Sequence, residues 1–270
     1  MIKFSKYQGT GNDFVLLDDR DGRYTHLSTE QIALLCDRRF GIGGDGLMRL
    51  QLADGYDFRM VYYNSDGREG SMCGNGGRCI TAFAKHLGVI KDKAFFIAVD
   101  GEHHAFIDDT DQVNLQMSDV PDVIREGDHF LLNTGSPHFV KFIQHGITHE
   151  EVVAEGKHIR YSPRFKKDGI NVNFVEPIDE HTIRVSTYER GVEDETYSCG
   201  TGVTAAAICF YLQHLVVADR EDQDASFSET VNILAKGGEL QVRLSHSDEA
   251  FTNIWLSGPA RLVFKGEFDI

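Results

Sequence analysis

Residues 71–79 read SMCGNGGRC, and 126 residues beyond Cys73 the chain returns to nearly the same phrase, YSCGTGVTA at 197–205, with Cys199 in the matching place. Each cysteine leads through glycines into a run with helical spacing. Ile80, Phe83, Ala84 and Leu87 keep that spacing in the first run, and Val203, Ala206, Ala207 and Phe210 keep it in the second. Strand-like segments flank both runs.

The echo extends along the chain in order. GTGNDFV (9–15) is answered by GSPHFV (135–140), and LSTEQIALLCDR (27–38) by ITHEEVVAEGKH (147–158). The latter two open on capping-box patterns, Ser28 with Gln31 and Thr148 with Glu151, which predict helix starts. FRMVYYN (58–64) pairs with IRVSTYE (183–189), FFIAVDGEHHAFI (95–107) with VNILAKGGELQVRL (231–244), and VNLQMSD (113–119) with NIWLSGP (253–259). The offset stays near 120–126 residues until after Cys199, then widens through ADREDQDASFSE (218–229), which reads as an exposed loop insertion.

One such match is chance; six in the same order are a duplication. The fold expected is α/β of the α+β kind, with two pseudo-symmetric domains. Each would be a curved, mostly antiparallel sheet of six or seven strands wrapped around a central helix. The halves expected are 1–118 and 119–260, with a boundary near DVPDVIREG (119–127). The last strand, within 261–270, has no counterpart in the first copy and is expected to cross back and complete it.

Composition narrows the function. With 42 acidic against 27 basic residues the chain carries a formal charge of −15, which argues against nucleic-acid and anionic-membrane surfaces. MIKFSKYQGTGNDF lacks the pattern of a signal peptide, and no apolar run approaches the ~18 residues of a membrane span. Five cysteines without framework spacing predict thiols in a reducing compartment, hence a cytoplasmic protein. GIGGDG (41–46) matches a dinucleotide fingerprint, but a helix pattern precedes it and a strand pattern follows, so it reads as a helix end and turn. Cys73 and Cys79 point about 240° apart on a helix and cannot share a metal; no metal site is expected. Cys36, Cys79 and Cys209 lie in apolar helical patterns and read as packing residues.

A cysteine at a helix start has two chemical properties. Unpaired N–H groups and the helix dipole form an anion site, and the same field lowers a thiol pKa from about 8.5 toward neutrality. Two such sites suit inversion of a carbon next to a carboxylate. One thiolate removes the proton, one thiol returns another on the opposite face, and the helix ends stabilise the charge that builds on the carboxylate.

At these residues the chain resembles the diaminopimelate epimerases, essentially from end to end. The resemblance is carried by GTGNDF (9–14), YYNSDG (62–67), MCGNGGRC (72–79), GSPH (135–138), NVNF (171–174), YERG (188–191) and SCGTG (198–202). It implies an isomerase that interconverts LL- and meso-diaminopimelate without a cofactor, in lysine and peptidoglycan precursor synthesis, and that forms a homodimer. It makes Cys73 and Cys199 the acid–base pair, with His138 and Glu189 tuning the thiols. Gly74, Asn75, Gly200 and Thr201 would hold the reacting carboxylate. Asn12, Asn64, Asn171, Glu189 and Arg190 would recognise the rest of the substrate; Arg190 can grip a carboxylate bidentately. Three positions depart from the common family pattern: Gln8 stands where a His is usual, Gly46 where many members have Gln, and Ser136 where many have Asn.

Three alternatives stay open. A proline or hydroxyproline racemase shares the two cysteines, but usually has a His where Asn75 stands and lacks the ERG segment. A thiol oxidoreductase would need a working Cys73–Cys199 disulfide. A binding module would hold the ligand without exchanging its α-proton.

Overall fold

Ser28 and Thr148 open helices through complete capping boxes: each hydroxyl accepts from the N3 backbone, and the Gln31 or Glu151 side chain returns a bond to the cap. Around these starts a computed structural model describes residues 1–70, 72–215, 227–247 and 250–270. The chain forms two compact units, Met1–Leu115 with Gly258–Ile270, and Gln116–Ser257.

In chain order the first unit runs β1 (Ile2–Gly9), β2 (Asn12–Asp18), α1 (Thr29–Cys36), β3 (Gly46–Gln51), β4 (Phe58–Asn64), α2 (Gly74–His86), β5 (Lys93–Ala98), β6 (Gly101–Ile107) and β7 (Val113–Gln116). The second runs β8 (Val123–Glu126), β9 (His129–Asn133), β10 (Pro137–Phe142), α3 (His149–Arg160), β11 (Asn171–Pro177), β12 (Thr182–Glu189), β13 (Asp194–Thr196), α4 (Gly200–Phe210), β14 (Phe227–Ala235), β15 (Gly238–Ser247) and β16 (Ala250–Gly258). The final strand, β17 (Arg261–Phe268), pairs antiparallel with β1.

Strand direction follows the connections. Tight turns make antiparallel pairs, whereas a helical crossover is needed for a parallel one. Parallel pairing occurs at β2–β3, across α1, and at β4–β5, across α2. It recurs at β10–β11, across α3, and at β12–β14, whose connection contains α4. The remaining pairs within each unit are antiparallel. This is the mixed, mostly antiparallel architecture that the repeated pattern predicts.

Each unit has a helix buried within its sheet and another on the outer face. α2 packs against β1, β2, β3, β6 and β17, and α4 against β9, β10, β11, β12, β14 and β15, so the strands curve around these helices. Ile80, Phe83 and Ala84 of α2 and Val203, Ala206, Ala207 and Phe210 of α4 are buried. On the outer face of the first unit, Val15, Leu17 and Leu47 pack with Ile32 and Leu35 of α1. Val172, Phe174 and Tyr188 do the same with Val152 of α3. Alternation gives both faces of these strands an apolar set.

Three expectations change in detail. Among the described residues the units hold eight and nine strands rather than six or seven: the first gains the expected crossing strand β17, and the short β8 and β13 of the second carry little periodic pattern. Part of the segment read as a boundary, 119–127, is itself strand β8. Of the polar stretch 218–229, Phe227–Glu229 already belongs to β14, and residues 218–226 lie outside the described residues. GIGGDG does form the end-of-helix turn expected, with Gly41 N–H bonded to Asp37 O and β3 starting at Gly46. Among the described residues, no helix is long and apolar enough to cross a membrane.

Candidate active site

Cys73 and Cys199 stand at the N-caps of α2 and α4 in almost the same conformation, φ −113° and ψ 125° for the first, φ −119° and ψ 113° for the second. Neither sulfur caps its helix, in contrast to the hydroxyls that open α1 and α3. The first intrahelical bonds run from Gly77 N–H to Cys73 O at 2.7 Å and from Val203 N–H to Cys199 O at 2.9 Å. The N–H groups of Gly74 and Asn75, and of Gly200 and Thr201, therefore precede the helical ladder, where the dipole is positive. A carboxylate is the natural partner of such a start.

The other cysteines are chemically different. Burial pushes the Cys36 and Cys79 thiols up to about 12 and the Cys209 thiol well above its ordinary range. They remain protonated packing groups, as their apolar patterns predict.

The first cysteine is held by the β1–β2 turn. Thr10 (φ 50°) and Gly11 (φ 84°) turn the chain so that Asn12 opens β2. The Asn12 amide Nδ2 donates to Asp45 Oδ2 at 2.5 Å, which turns its Oδ1 toward Cys73 Sγ at 3.6 Å and Asn75 Nδ2 at 3.4 Å. Asp45 also accepts from Arg38 Nη2 at 2.7 Å and from the Asp13 backbone at 3.2 Å. Burial raises the Asp13 carboxyl, but bonds from Arg38 and Lys6 outweigh it and hold the group down to about 2. Arg78, five residues after Cys73, is fully buried and donates from Nη2 to Thr10 Oγ1 at 2.9 Å. Its Nε and Nη1 have no hydrogen-bond partner among the described residues.

Asn64 lies exposed at the end of β4, with its backbone bonded to Arg68 and Gly67. Its side chain does not enter the bonded set around Asn12. Gly46, one of the departures from the family pattern, has no room for a side chain in this backbone. A Cβ there would lie 2.5 Å from Tyr63 O and 2.6 Å from Tyr62 Cε2.

The second cysteine has a longer polar chain behind it. Cys199 Sγ is 3.4 Å from Thr201 Oγ1, which is 3.1 Å from Ser136 Oγ, which is 3.0 Å from His138 Nε2. His138 Nδ1 lies 3.0 Å from Asn173 Nδ2, and the Asn173 Oδ1 accepts from Thr187 Oγ1 at 2.9 Å. His138 is fully buried; burial, with the charge of Arg190 adding to it, pulls its pKa down to about 3, so the ring is neutral near pH 7. Asn171 braces this chain, with Nδ2 donating to Ser136 Oγ at 3.0 Å and Oδ1 accepting from Arg190 N–H at 2.9 Å. Arg190 is exposed and donates from Nη1 to Asp168 O at 2.9 Å. Glu189, half-buried, closes β12 beside it.

Within each unit the structure thus gathers the expected residues at the cysteine: Asn12 and Asn75 at Cys73, and His138, Asn171 and Thr201 at Cys199. Sequence reading missed Asp45, Arg78 and Asn173. Asp45 sits in the loop dismissed as a mere turn. Asn173 had a legible signal, because NVNF puts Asn171 and Asn173 on one face of a strand.

Comparison with known proteins agrees. The family model described as diaminopimelate epimerase matches residues 4–121 and 130–263. The diaminopimelate epimerase of Flavobacterium psychrophilum is 47% identical over 264 residues, spanning 98% of this chain and 99% of its own. That of Chlorobaculum tepidum is 38% identical, spanning 96% and 98%. A Bacillus anthracis phenazine biosynthesis protein of the PhzF family superposes with a TM-score of 0.71 at 14% identity, over 100% of this chain and 99% of its own. A probable proline racemase from Agrobacterium radiobacter gives 0.64 at 15%, over 100% and 93%. These last two show a shared fold alone, whereas the near-complete sequence matches decide the family: the chain belongs to the diaminopimelate epimerases.

Proposed function

We infer that this protein interconverts LL- and meso-2,6-diaminopimelate by a two-thiol acid–base mechanism, within lysine and peptidoglycan precursor synthesis. One observation carries the reading: a chain of this family places a cysteine at each of two helix starts, in the same backbone conformation, with precursor-turn N–H groups beside it. A thiolate takes the α-proton and a thiol delivers one to the opposite face. The substrate α-carboxylate rests on the N–H groups of Gly74, Asn75, Gly200 and Thr201, where charge growing in the transition state meets fixed donors.

Asn12, Asn64, Asn171, Glu189 and Arg190 recognise the distal ammonium and carboxylate, with Arg190 supplying the fork and Glu189 the counter-charge. His138 and Glu189 set the thiol acidities. The reaction needs no cofactor, because carbanion charge is met by the helix starts. A homodimer in the cytoplasm is the assembly and location that the family resemblance implies; light scattering of the purified protein tests the former.

The activity test is direct. Reduced protein incubated with LL-diaminopimelate should yield the meso isomer on chiral separation, and should leave L-proline and trans-4-hydroxy-L-proline unchanged. Turnover of either proline substrate without any meso-diaminopimelate would reject the assignment. Oxidation should abolish activity and a thiol reductant restore it.

A further inference from the structure

The hydrogen atoms around Cys199 can be placed one at a time. The Asn173 amide is oriented by Thr187, whose hydroxyl donates to Oδ1 at 2.9 Å, and by Phe139 O, which accepts from Nδ2 at 3.1 Å. Its Nδ2 therefore donates to His138 Nδ1. A neutral imidazole that accepts at Nδ1 carries its proton at Nε2. That proton points to Ser136 Oγ, 3.0 Å away. The Asn171 amide is fixed in the same way, by Arg190 N–H at Oδ1 and Pro137 O at Nδ2, so it too donates to Ser136 Oγ. With two donors already pointing at its oxygen, Ser136 gives its own proton to Thr201 Oγ1. Thr201, filled on one side, directs its hydroxyl at Cys199 Sγ.

We propose that Ser136 is a positioning residue that links His138 to Thr201 in a one-way donor chain ending on Cys199 Sγ, so that in the substrate-free protein Cys199 rests as the thiolate and is the base toward one of the two isomers, the two thiols exchanging roles in the reverse direction. The proposal rests on the acid–base role inferred above for Cys199. Nothing in the family resemblance assigns this task to a serine, since many members carry Asn at the position.

The surrounding charges are consistent with this assignment. α4 is flanked by β9, β10, β11, β12, β14 and β15. On these strands His138 and Tyr188 are fully buried ionisable groups, the first neutral near pH 7 and the second a protonated phenol pushed up to about 12 by burial and its bond to Glu193, while Glu189 closes β12, Arg190 follows it, and Cys209 stays a thiol inside the helix. A donor chain is strengthened by low dielectric, and a thiolate at its end gains most from it.

The test is alkylation by iodoacetamide across pH, with each cysteine peptide quantified by mass spectrometry and no substrate present. In the wild type Cys199 should be modified at lower pH than Cys36, Cys79 and Cys209. In Ser136→Ala the Cys199 rate at pH 7 should fall about tenfold, the size of the one hydrogen bond lost between Ser136 and Thr201, and its midpoint should rise by about one pH unit. Ser136→Thr, which keeps the hydroxyl, should restore both, and neither variant should move the Cys73 profile. An unchanged Cys199 profile in Ser136→Ala would overturn the chain. So would a loss that Ser136→Thr fails to restore, which would mark a packing effect. Because the readout is chemical, it stands apart from the substrate assignment.

Discussion

Cys73 and Cys199 share a backbone conformation to within about a dozen degrees, yet the polar groups around them run in opposite directions. Cys73 donates its S–H toward Asn12 Oδ1, a carbonyl that cannot turn away because Asp45 holds the amide nitrogen. Cys199 stands instead at the end of a series of hydroxyls and a neutral ring. Charge differs as well. Five residues after the first cysteine comes the buried Arg78, and five after the second comes Thr204, which merely bonds back to Gly200 O. Duplication preserved the helix start, where the backbone supplies the chemistry. The side chains behind it diverged, so the two thiols sit in unlike hydrogen-bonding surroundings.

The largest difference between the two cysteines lies with Asn12 in the first unit. Asn12→Leu removes the acceptor facing Cys73 and one of the donors to Asp45, and should lower kcat about a hundredfold, the scale of a lost positioning group. Asp45→Asn, which lets the amide turn, should cost less, about tenfold. Steady-state kinetics on both variants would show whether the fixed amide matters.

Helix-start glycines give the next contrast. A Cβ at Gly202 would lie 2.5 Å from Asn173 Oδ1, inside a fixed bonded set, whereas one at the equivalent Gly76 would meet the flexible end of Met48 at 2.7 Å. Gly202→Ala should destabilise by about 2–3 kcal/mol and Gly76→Ala by less than about 1 kcal/mol, measured by denaturant unfolding. Equal losses would mean the two starts are packed alike.

The two units should also lose stability in different pH ranges. His138 takes up a proton near 6.5 when unfolded but only near 3 when folded. Its contribution is present above pH 6.5 and fades as pH falls toward 3, at about 1.4 kcal/mol per pH unit. Asp13, at about 2 against an ordinary 3.8, loses its contribution only below pH 3.8. Unfolding at pH 7 and pH 5 should therefore show a stability drop that His138→Gln largely removes; a drop of the same size in the variant would place its origin elsewhere.

The smallest effect should be shared. Ser28→Ala and Thr148→Ala remove matching capping boxes and should each cost about 1 kcal/mol in thermal or denaturant unfolding.

Much of this fold was legible because its local rules repeat. The capping boxes, the strand alternation of FRMVYYN and the helical spacing after each cysteine all recur at one offset, and each is satisfied within a few residues. β8 and β13 escaped because three or four residues carry no period. The two thiols proposed as acid and base could be read from the cysteine–glycine starts, and the family motifs supplied Asn12, His138 and Asn171 as candidates. The chain from His138 to Cys199 could not be read, because it joins residues 136, 138, 173 and 201 through a parallel strand pair and a helix start. Asp45 was hidden differently: it sits in a helix-end turn, and nothing in that turn's pattern ties it to Asn12, 33 residues earlier in the chain.

The proposed inversion depends on both thiols, Cys73 and Cys199. Reduced protein, Cys73→Ala and Cys199→Ala would each be incubated with LL-diaminopimelate in deuterated water, following loss of α-hydrogen by NMR and the isomers by chiral separation. The wild type should place deuterium at the α-carbon of the meso product, and neither variant should form that product. Epimerisation that survives the loss of either cysteine would contradict the two-thiol mechanism.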